Sequence, residues 1–319
     1  MDVSHSAKTD SLLFSEVSAG WMNWKRTSLK HSSLARYNSI LSLHILPVFG
    51  DTPITAISRQ DAACFVQGLL TGKSRNTDGL SSATAAVVLS VIKNIFQYAR
   101  LILDMAVADL HGITVKQPYR QLRVFSRSEQ QRLTHYLLMR RDPTSVGILI
   151  ALHTGLRAGE LCALRWMDIS LSEQSLSVRH TMQRLPASDG MGKTAVVITP
   201  PKSPSSLRTI PMPEIITEML REIRGADVCF VLSGTEDYIE PRCLENRFKS
   251  ALRTCGIAPA GFHICRHSFA TRCIELGFDV KSLSEILGHA SVNITMNRYV
   301  HPSMEYKRKN MNRLNELMK

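Results

Sequence analysis

From Leu12 to about Asp109 the apolar residues return at helical spacing. In the clearest run, Ser81 to Val107, the residues Ala85, Val88, Leu89, Ile92, Ile95, Phe96, Ala99, Ile102 and Leu103 recur at steps of three and four. That step fits the turn of an α-helix and not the alternation of a strand, so one face of a long helix must be covered by other helices. Ser81 or Ser82 stands where a cap is needed, and Lys93, Asn94 and Arg100 fall outside the stripe. A second helix is predicted from about Ser32 to Leu46, ending before Pro47 and Gly50.

The pattern changes after this stretch. Between Gly112 and Ser128 the chain carries Lys116, Arg120, Arg123 and Arg127 with Pro118 and no sustained apolar period, which reads as a basic linker crossing phosphate backbone. Helical periods resume around Arg127 to Arg140 and Thr144 to Thr154. Short alternating segments follow at Asp168 to Leu171, Ser175 to His180, Thr194 to Thr199 and Arg208 to Ile210, predicting one small antiparallel sheet. Helices return at about Pro213 to Arg224, Pro241 to Cys255, His263 to Leu276, Val280 to Leu287 and Val292 to Tyr299. The expected fold class is mainly α with a small antiparallel β-sheet, in two domains forming a clamp. The expected division is a tail over 1–11, a helical domain over 12–110, a linker over 111–125, a second domain over 126–302 and a final helix over 303–319. In that last helix Met304, Met311, Leu314, Leu317 and Met318 lie close to one face, opposite Lys307, Arg308, Lys309 and Arg313.

The 319 residues carry a formal net charge of +12, unevenly placed. Residues 1–110 hold 10 Lys and Arg against 8 Asp and Glu, whereas residues 111–319 hold 29 against 19, so a net +10 lies in the second part. Of those 29 cations 21 are Arg, the side chain suited to paired hydrogen bonds with phosphate. Seven Cys with no Cys-x-x-Cys pair argue against a disulfide framework and for a reduced, cytoplasmic setting. Cys265, His267 and Cys273 lack zinc-ligand spacing, so neither metal nor cofactor is expected. The longest apolar stretch, around Val146 to Leu156, is too short to span a bilayer, and no membrane partner is expected.

Four segments carry the chemistry. They are Thr154-Gly155-Leu156-Arg157-Ala158-Gly159-Glu160-Leu161, His263-Ile264-Cys265-Arg266, Leu287-Gly288-His289-Ala290-Ser291, and, ten residues after that His, the Tyr of Asn297-Arg298-Tyr299-Val300-His301. Cleaving a phosphodiester passes through five-coordinate phosphorus with added negative charge, which calls for fixed cationic donors. Arg157 and Arg266 can supply these without a metal, since a guanidinium stays protonated and binds phosphate through a planar fork. His263 and His289 add donors or a proton acceptor. Tyr299 is the nucleophile type that gives a stable yet reversible phosphotyrosine. Taken singly each residue has a plainer role: Arg157 and Glu160 as an i, i+3 ion pair, Gly288-His289 as a helix C-cap, Tyr299 as a half-buried aromatic. All those plain roles would have to coincide in this order.

This set in this order resembles the tyrosine recombinase (phage integrase) family, in motif style closest to integrases of conjugative transposons and phages. Lys30-His31-Ser32-Ser33-Leu34-Ala35-Arg36-Tyr37, running on to His44-Ile45-Leu46-Pro47-Val48-Phe49-Gly50, resembles the core-binding domain of the same family. The resemblance implies that Tyr299 attacks the scissile phosphate to form a 3′-phosphotyrosyl link, with Arg157, Arg266, His263 and His289 at the phosphate and Glu160 supporting Arg157. It implies a Lys in a β-turn as general acid. Lys202, in the pattern Lys-Ser-x-x-Ser-x-Arg-x-Ile-Pro, is preferred over Lys193.

Lys25, Arg26, Lys30, Arg36, Tyr37, Arg120, Arg123, Arg242, Arg247 and Lys249 are the candidate DNA contacts, with Lys73 and Arg75 as loop candidates. The implied partners are double-stranded DNA with a specific recombination site, a homotetramer on that DNA, and accessory DNA-bending or directionality proteins, at the nucleoid. The expected outcome is integration or excision of a mobile element through a Holliday junction. Xer-type dimer resolution, type IB topoisomerase-like relaxation and a catalytically silent DNA-binding regulator stay open. The final helix either folds back on its own domain or docks on a neighbouring protomer.

Overall fold

The computed structural model describes residues 12–72, 79–118, 122–186, 194–201 and 203–300, with 308, 311–312 and 314–315 of the tail. Lys73, Arg75, Arg120, Lys193, Lys202 and most of the predicted final helix lie outside the described residues. The chain divides into two compact units, residues 1–120 and residues 121–319.

The first unit is helical: α1 (Phe14–Arg26), α2 (His31–Ile40), α3 (Leu46–Phe49), α4 (Arg59–Thr71) and α5 (Ser82–Ile102). The stripe on α5 is buried against Phe14, Trp21, Ile45 and Ile54, and the Phe14 ring sits between Phe49 and Phe96 at 6.1 and 6.5 Å. By length and composition α5 is apolar enough to cross a membrane, unlike the shorter run at 146–156, yet its apolar face forms this core. The helix stops at Ile102 rather than Val107. Asp104 takes a left-handed φ of 50°, and the Arg100 side chain donates to the Val107 carbonyl across the bend.

The segment predicted to end before Pro47 runs on instead. A single π turn, Leu41–Ile45, links α2 to α3, and Pro47, which has no N–H to donate back along the helix, comes just after that turn at the start of α3. Ser58 and Asp61 close a capping box at the start of α4, each side chain accepting the other's backbone N–H.

The second unit begins with α6 (Arg127–Arg140), α7 (Pro143–Thr154) and α8 (Ala158–Cys162) and ends with α9 (Glu214–Glu222), α10 (Pro241–Thr254), α11 (His263–Glu275), α12 (Val280–Leu287) and α13 (Val292–Tyr299). Helix α7 is buried on nearly every side and packs against α11. Its apolar residues therefore run on without a polar face. Between the helices lie β1 (Ile169–Ser170), β2 (Ser175–Val178), β3 (Thr181–Pro186), β4 (Thr194–Thr199) and β5 (Arg208–Pro211).

These strands make two antiparallel sheets where the sequence predicted one. One has the order β1-β2-β5 with Leu176 opposite Ile210; the other is a β3-β4 ribbon with Gln183 opposite Val197. Strand β3 was not predicted.

The stretch predicted as a linker is anchored at both described ends. Ile113 and Val115 pack on the first core, and the Lys93 ammonium donates to the Ile113 carbonyl. Phe125 is buried in the second core, its N–H donating to Ser268 Oγ at 2.8 Å. Arg123, a candidate phosphate contact, donates to the Ala258 and Pro259 carbonyls at 2.8 and 2.7 Å, which holds the start of this unit against the loop before α11.

Helix α7 ends at Gly155, whose φ of +68° is left-handed, and a Cβ there would come within 2.7 Å of Phe269 and 2.8 Å of Leu287. Gly155→Ala therefore meets backbone strain and a clash together. It is expected to destabilise the protein by roughly 2–4 kcal/mol, read as a lowered midpoint in thermal unfolding.

Candidate active site

The turn at Gly155 sets the direction in which the chain enters α8. Leu156 is buried, and Arg157 is the extended N-cap residue of α8. Glu160, one turn on, accepts the Arg157 backbone N–H at 3.1 Å and its Nη1 at 2.6 Å, so the i, i+3 pair also caps the helix. The same carboxylate takes Nη2 of Arg208, on β5, at 2.9 Å. Arg208 in turn donates to the Ile286 carbonyl at 2.6 Å near the end of α12. Burial alone would raise the Glu160 pKa; the hydrogen bond and charge of Arg208, with Arg157, outweigh it and hold the carboxyl below its ordinary value.

Arg266, on the first turn of α11, is 1% exposed. It donates to the Gly155 carbonyl at 2.8 Å and the Leu287 carbonyl at 2.6 Å, fastening the C-terminal ends of α7 and α12, where carbonyls have no partner within the helix. Burial and the nearby Arg157 push its pKa down to about 9, leaving it cationic at neutral pH.

Gly288, at φ +65°, caps α12, and His289 comes directly after it. The plain C-cap role and a site role thus coincide in one dipeptide. His289 Nδ1 lies 2.7 Å from Thr295 Oγ1 of α13, which orients the ring. Burial first, and then the surrounding arginines, lower His289 to about 3; burial, His267 and Arg266 lower His263 to about 4. Both imidazoles are therefore neutral at pH 7.

Arg157, Glu160, His263, Arg266, Gly288 and His289 line one cleft of about 520 Å³, with Thr181 and Gln183 of β3, Pro201, Ser203 and Arg298. Pro201 and Ser203 flank Lys202 in sequence. Tyr299 closes α13 and is 6% exposed, packed with Ala270, Cys273, Leu283 and Leu287. Its ring lies parallel to that of His289, centres 6.4 Å apart and 4° between planes, and its hydroxyl is 2.8 Å from His267 Nδ1. Burial raises the phenol pKa, opposed in part by Arg266 and Arg298.

Three residues of this arrangement were not singled out from sequence. Arg208 stands 48 residues from Glu160, and nothing local pairs them. Arg298 precedes Tyr299 and reads as an ordinary exposed cation. His267 had a signal, since a residue four after His263 on a helix shares its face.

The candidate DNA contacts fall on both units. Arg26, Lys30 and Arg36 are exposed on the first unit, Lys25 lies over the Trp24 ring at 4.4 Å, and Tyr37 has its ring 5.4 Å from that of Trp21. On α10, Arg242 is exposed, Lys249 pairs with Glu245 at 3.4 Å and Arg247 donates to Thr144 Oγ1 at 2.6 Å. Cys265 is fully buried and acts as a small apolar side chain.

Comparison with known proteins gives the chain's relatives. The chain is 31% identical over 188 residues to a tyrosine recombinase XerC-like protein of Caldanaerobacter subterraneus subsp. tengcongensis, covering 53% of this chain and 48% of that one. It thus spans about half the length of that relative. It is 24% identical over 298 residues to a prophage phiRv2 integrase of Mycobacterium tuberculosis, covering 90% of this chain and 74% of the relative. The structure of the Tn1549 transposon integrase in complex with transposon right end DNA shares the fold with a TM-score of 0.74 at 22% identity, covering 95% of this chain and 100% of that one. Residues 13–70 match the phage integrase N-terminal SAM-like domain and residues 116–306 the phage integrase family itself. With more than half of its length matched in this way, the chain belongs to the phage integrase family.

Proposed function

We propose that this protein is a site-specific DNA recombinase that cuts and rejoins double-stranded DNA through a 3′-phosphotyrosyl intermediate, for integration or excision of a mobile element. The observation that carries this reading is the convergence of Arg157, Arg266, Arg298, His263 and His289 on one cleft, with the Tyr299 ring stacked on that of His289. The guanidinium groups match the charge that develops on phosphorus, and the reaction is metal-independent because the chain itself supplies that charge. Tyr299 acts as nucleophile, Glu160 holds Arg157, and Lys202 serves as general acid for the leaving 5′-oxygen.

The helical first domain and the catalytic domain act as a clamp on the duplex, and a homotetramer carries strand exchange through a Holliday junction at the nucleoid. Accessory bending or directionality proteins bias the outcome. The XerC-like relative favours dimer resolution as a second reading, separable by whether recombination needs two copies of one site or two different sites.

The test uses nicked suicide duplexes with a randomised core, incubated with the protein in EDTA. Covalent complexes are recovered under denaturing conditions and sequenced. A converging sequence family attached through its 3′ phosphate is expected, with capture falling steeply as salt rises. Absence of any adduct, or adducts only after magnesium is added, would remove the proposal.

A further inference from the structure

The Tyr299 hydroxyl has a partner that the phosphate-site residues do not account for. His267 Nδ1 lies 2.8 Å from it, and the two rings are 5.7 Å apart. His267 stands one helical turn after His263 on α11, and these two imidazoles meet edge to face with centres 4.6 Å apart. His263 lines the cleft, so the phenol oxygen is connected to the phosphate-facing wall through a pair of rings. A group meant to receive a proton must lie within hydrogen-bond reach of it, and His267 meets that requirement.

Accepting the reading of Tyr299 as the attacking group, we propose that His267 is a catalytic residue whose Nδ1 receives the phenolic proton as Tyr299 bonds to phosphorus. The Tyr299 O–H bond breaks and its proton passes to Nδ1 as the Oη–P bond forms. The P–O5′ bond breaks with its electron pair leaving on the 5′-oxygen, which is protonated by the general acid. On rejoining, each proton returns along its own path. No oxidant, reductant or co-reactant is involved.

The tautomer with hydrogen on Nε2 leaves Nδ1 as the acceptor. The charged and titratable groups bearing on this ring are Arg266 and His263 from its own helix and Arg298 from α13, with the phenol itself. Burial and then the two arginines hold His267 down to about 4, so it is neutral and able to accept at pH 7. Those arginines are also the ones a bound phosphate would neutralise. Substrate binding therefore raises the proton affinity of His267 at the moment a base is needed.

The test compares the parent protein with His267→Phe, which fills the space without a nitrogen, and His267→Asn, which offers an acceptor oxygen without basicity. Adduct formation is timed across pH 6–9 on the duplex recovered by covalent capture. Both variants are expected to bind that duplex as the parent does and to cleave it ~10²–10⁴-fold more slowly at pH 7. The deficit should shrink as pH rises, because phenolate formed by hydroxide needs no base. A His267→Asn protein that cleaves at the parent rate, or a deficit equal at every pH, overturns the assignment even where folding and binding are intact. If the parent itself forms no adduct, the reading of Tyr299 fails and takes this one with it; parent adducts with unslowed variants dismiss His267 alone.

Discussion

A protein carrying Tyr299→Phe is expected to bind its DNA as the parent does and to form no covalent adduct with it. The substitution deletes one oxygen from a ring that is 6% exposed and packed among Ala270, Cys273, Leu283 and Leu287, so the apolar contacts that hold α13 remain. What is lost is the nucleophile and one hydrogen bond to His267. Leaving that imidazole nitrogen unpaired costs about 1–2 kcal/mol, well short of unfolding a domain. The effect on chemistry is of another order, since loss of an attacking group typically removes a factor of ~10⁴ or more. Gel shift on the captured duplex should therefore match the parent while denaturing gels show free protein alone. A residual adduct at more than a trace level in this variant would show that another residue attacks.

The second large effect falls on Glu160, whose carboxylate is shared by two arginines. Its side chain is 3% exposed, with Arg208 at 2.9 Å and Arg157 at 2.6 Å. Glu160→Gln leaves the buried Arg208 without its counter-charge, and breaking a buried pair in this way typically destabilises by ~3–5 kcal/mol. For a domain of this size that is a fall of about 6–20 °C in thermal midpoint. Cleavage should fall as well, because Arg157 loses the group that holds it.

The pH dependence has a definite sign. The Glu160 pKa is lower in the folded than in the unfolded chain, so the unfolded state binds more protons through that window. Its contribution is complete above the ordinary carboxylate pKa and is lost as pH falls through the folded value. Melting scans from neutral to acid pH should show the parent losing this increment and Glu160→Gln lacking it throughout. Equal acid sensitivity in both proteins would mean that the carboxylate is not held by the arginines.

The helices were legible because burial writes a period of three and four into the chain. Helix α12 and helix α13 begin and end where the sequence placed them, since Asp279 and Ser291 cap their starts and Gly288 stops the first. The long helix α5 was overrun because Leu103 and Val107 continue the apolar spacing, and only the bend at Asp104 takes them out of it. Strand β3 was missed for a different reason. It belongs to a two-stranded ribbon whose partner β4 is largely exposed, so no single buried face imposes alternation on Thr181–Pro186.

In the site, the residues that could be placed from sequence sit beside helix ends or in short motifs. Arg208 could not, because its partners Glu160 and Ile286 come from far along the chain in both directions. Arg123 shows the converse: its setting among other cations marks it as a candidate phosphate contact, whereas its bonds to the backbone carbonyls before α11 could not be read from the sequence.

Arg266 gives one hydrogen bond to each of two helix ends, and a guanidinium has N–H groups beyond those two. The cation offered to an incoming anion is thus already immobilised by the architecture. Little conformational entropy is left to lose when substrate arrives, and little reorganisation is needed as negative charge grows on the reacting group. A compact ammonium at the same position could not reach both carbonyls through a planar fork, so Lys in place of Arg266 would keep the charge and lose the preorganisation.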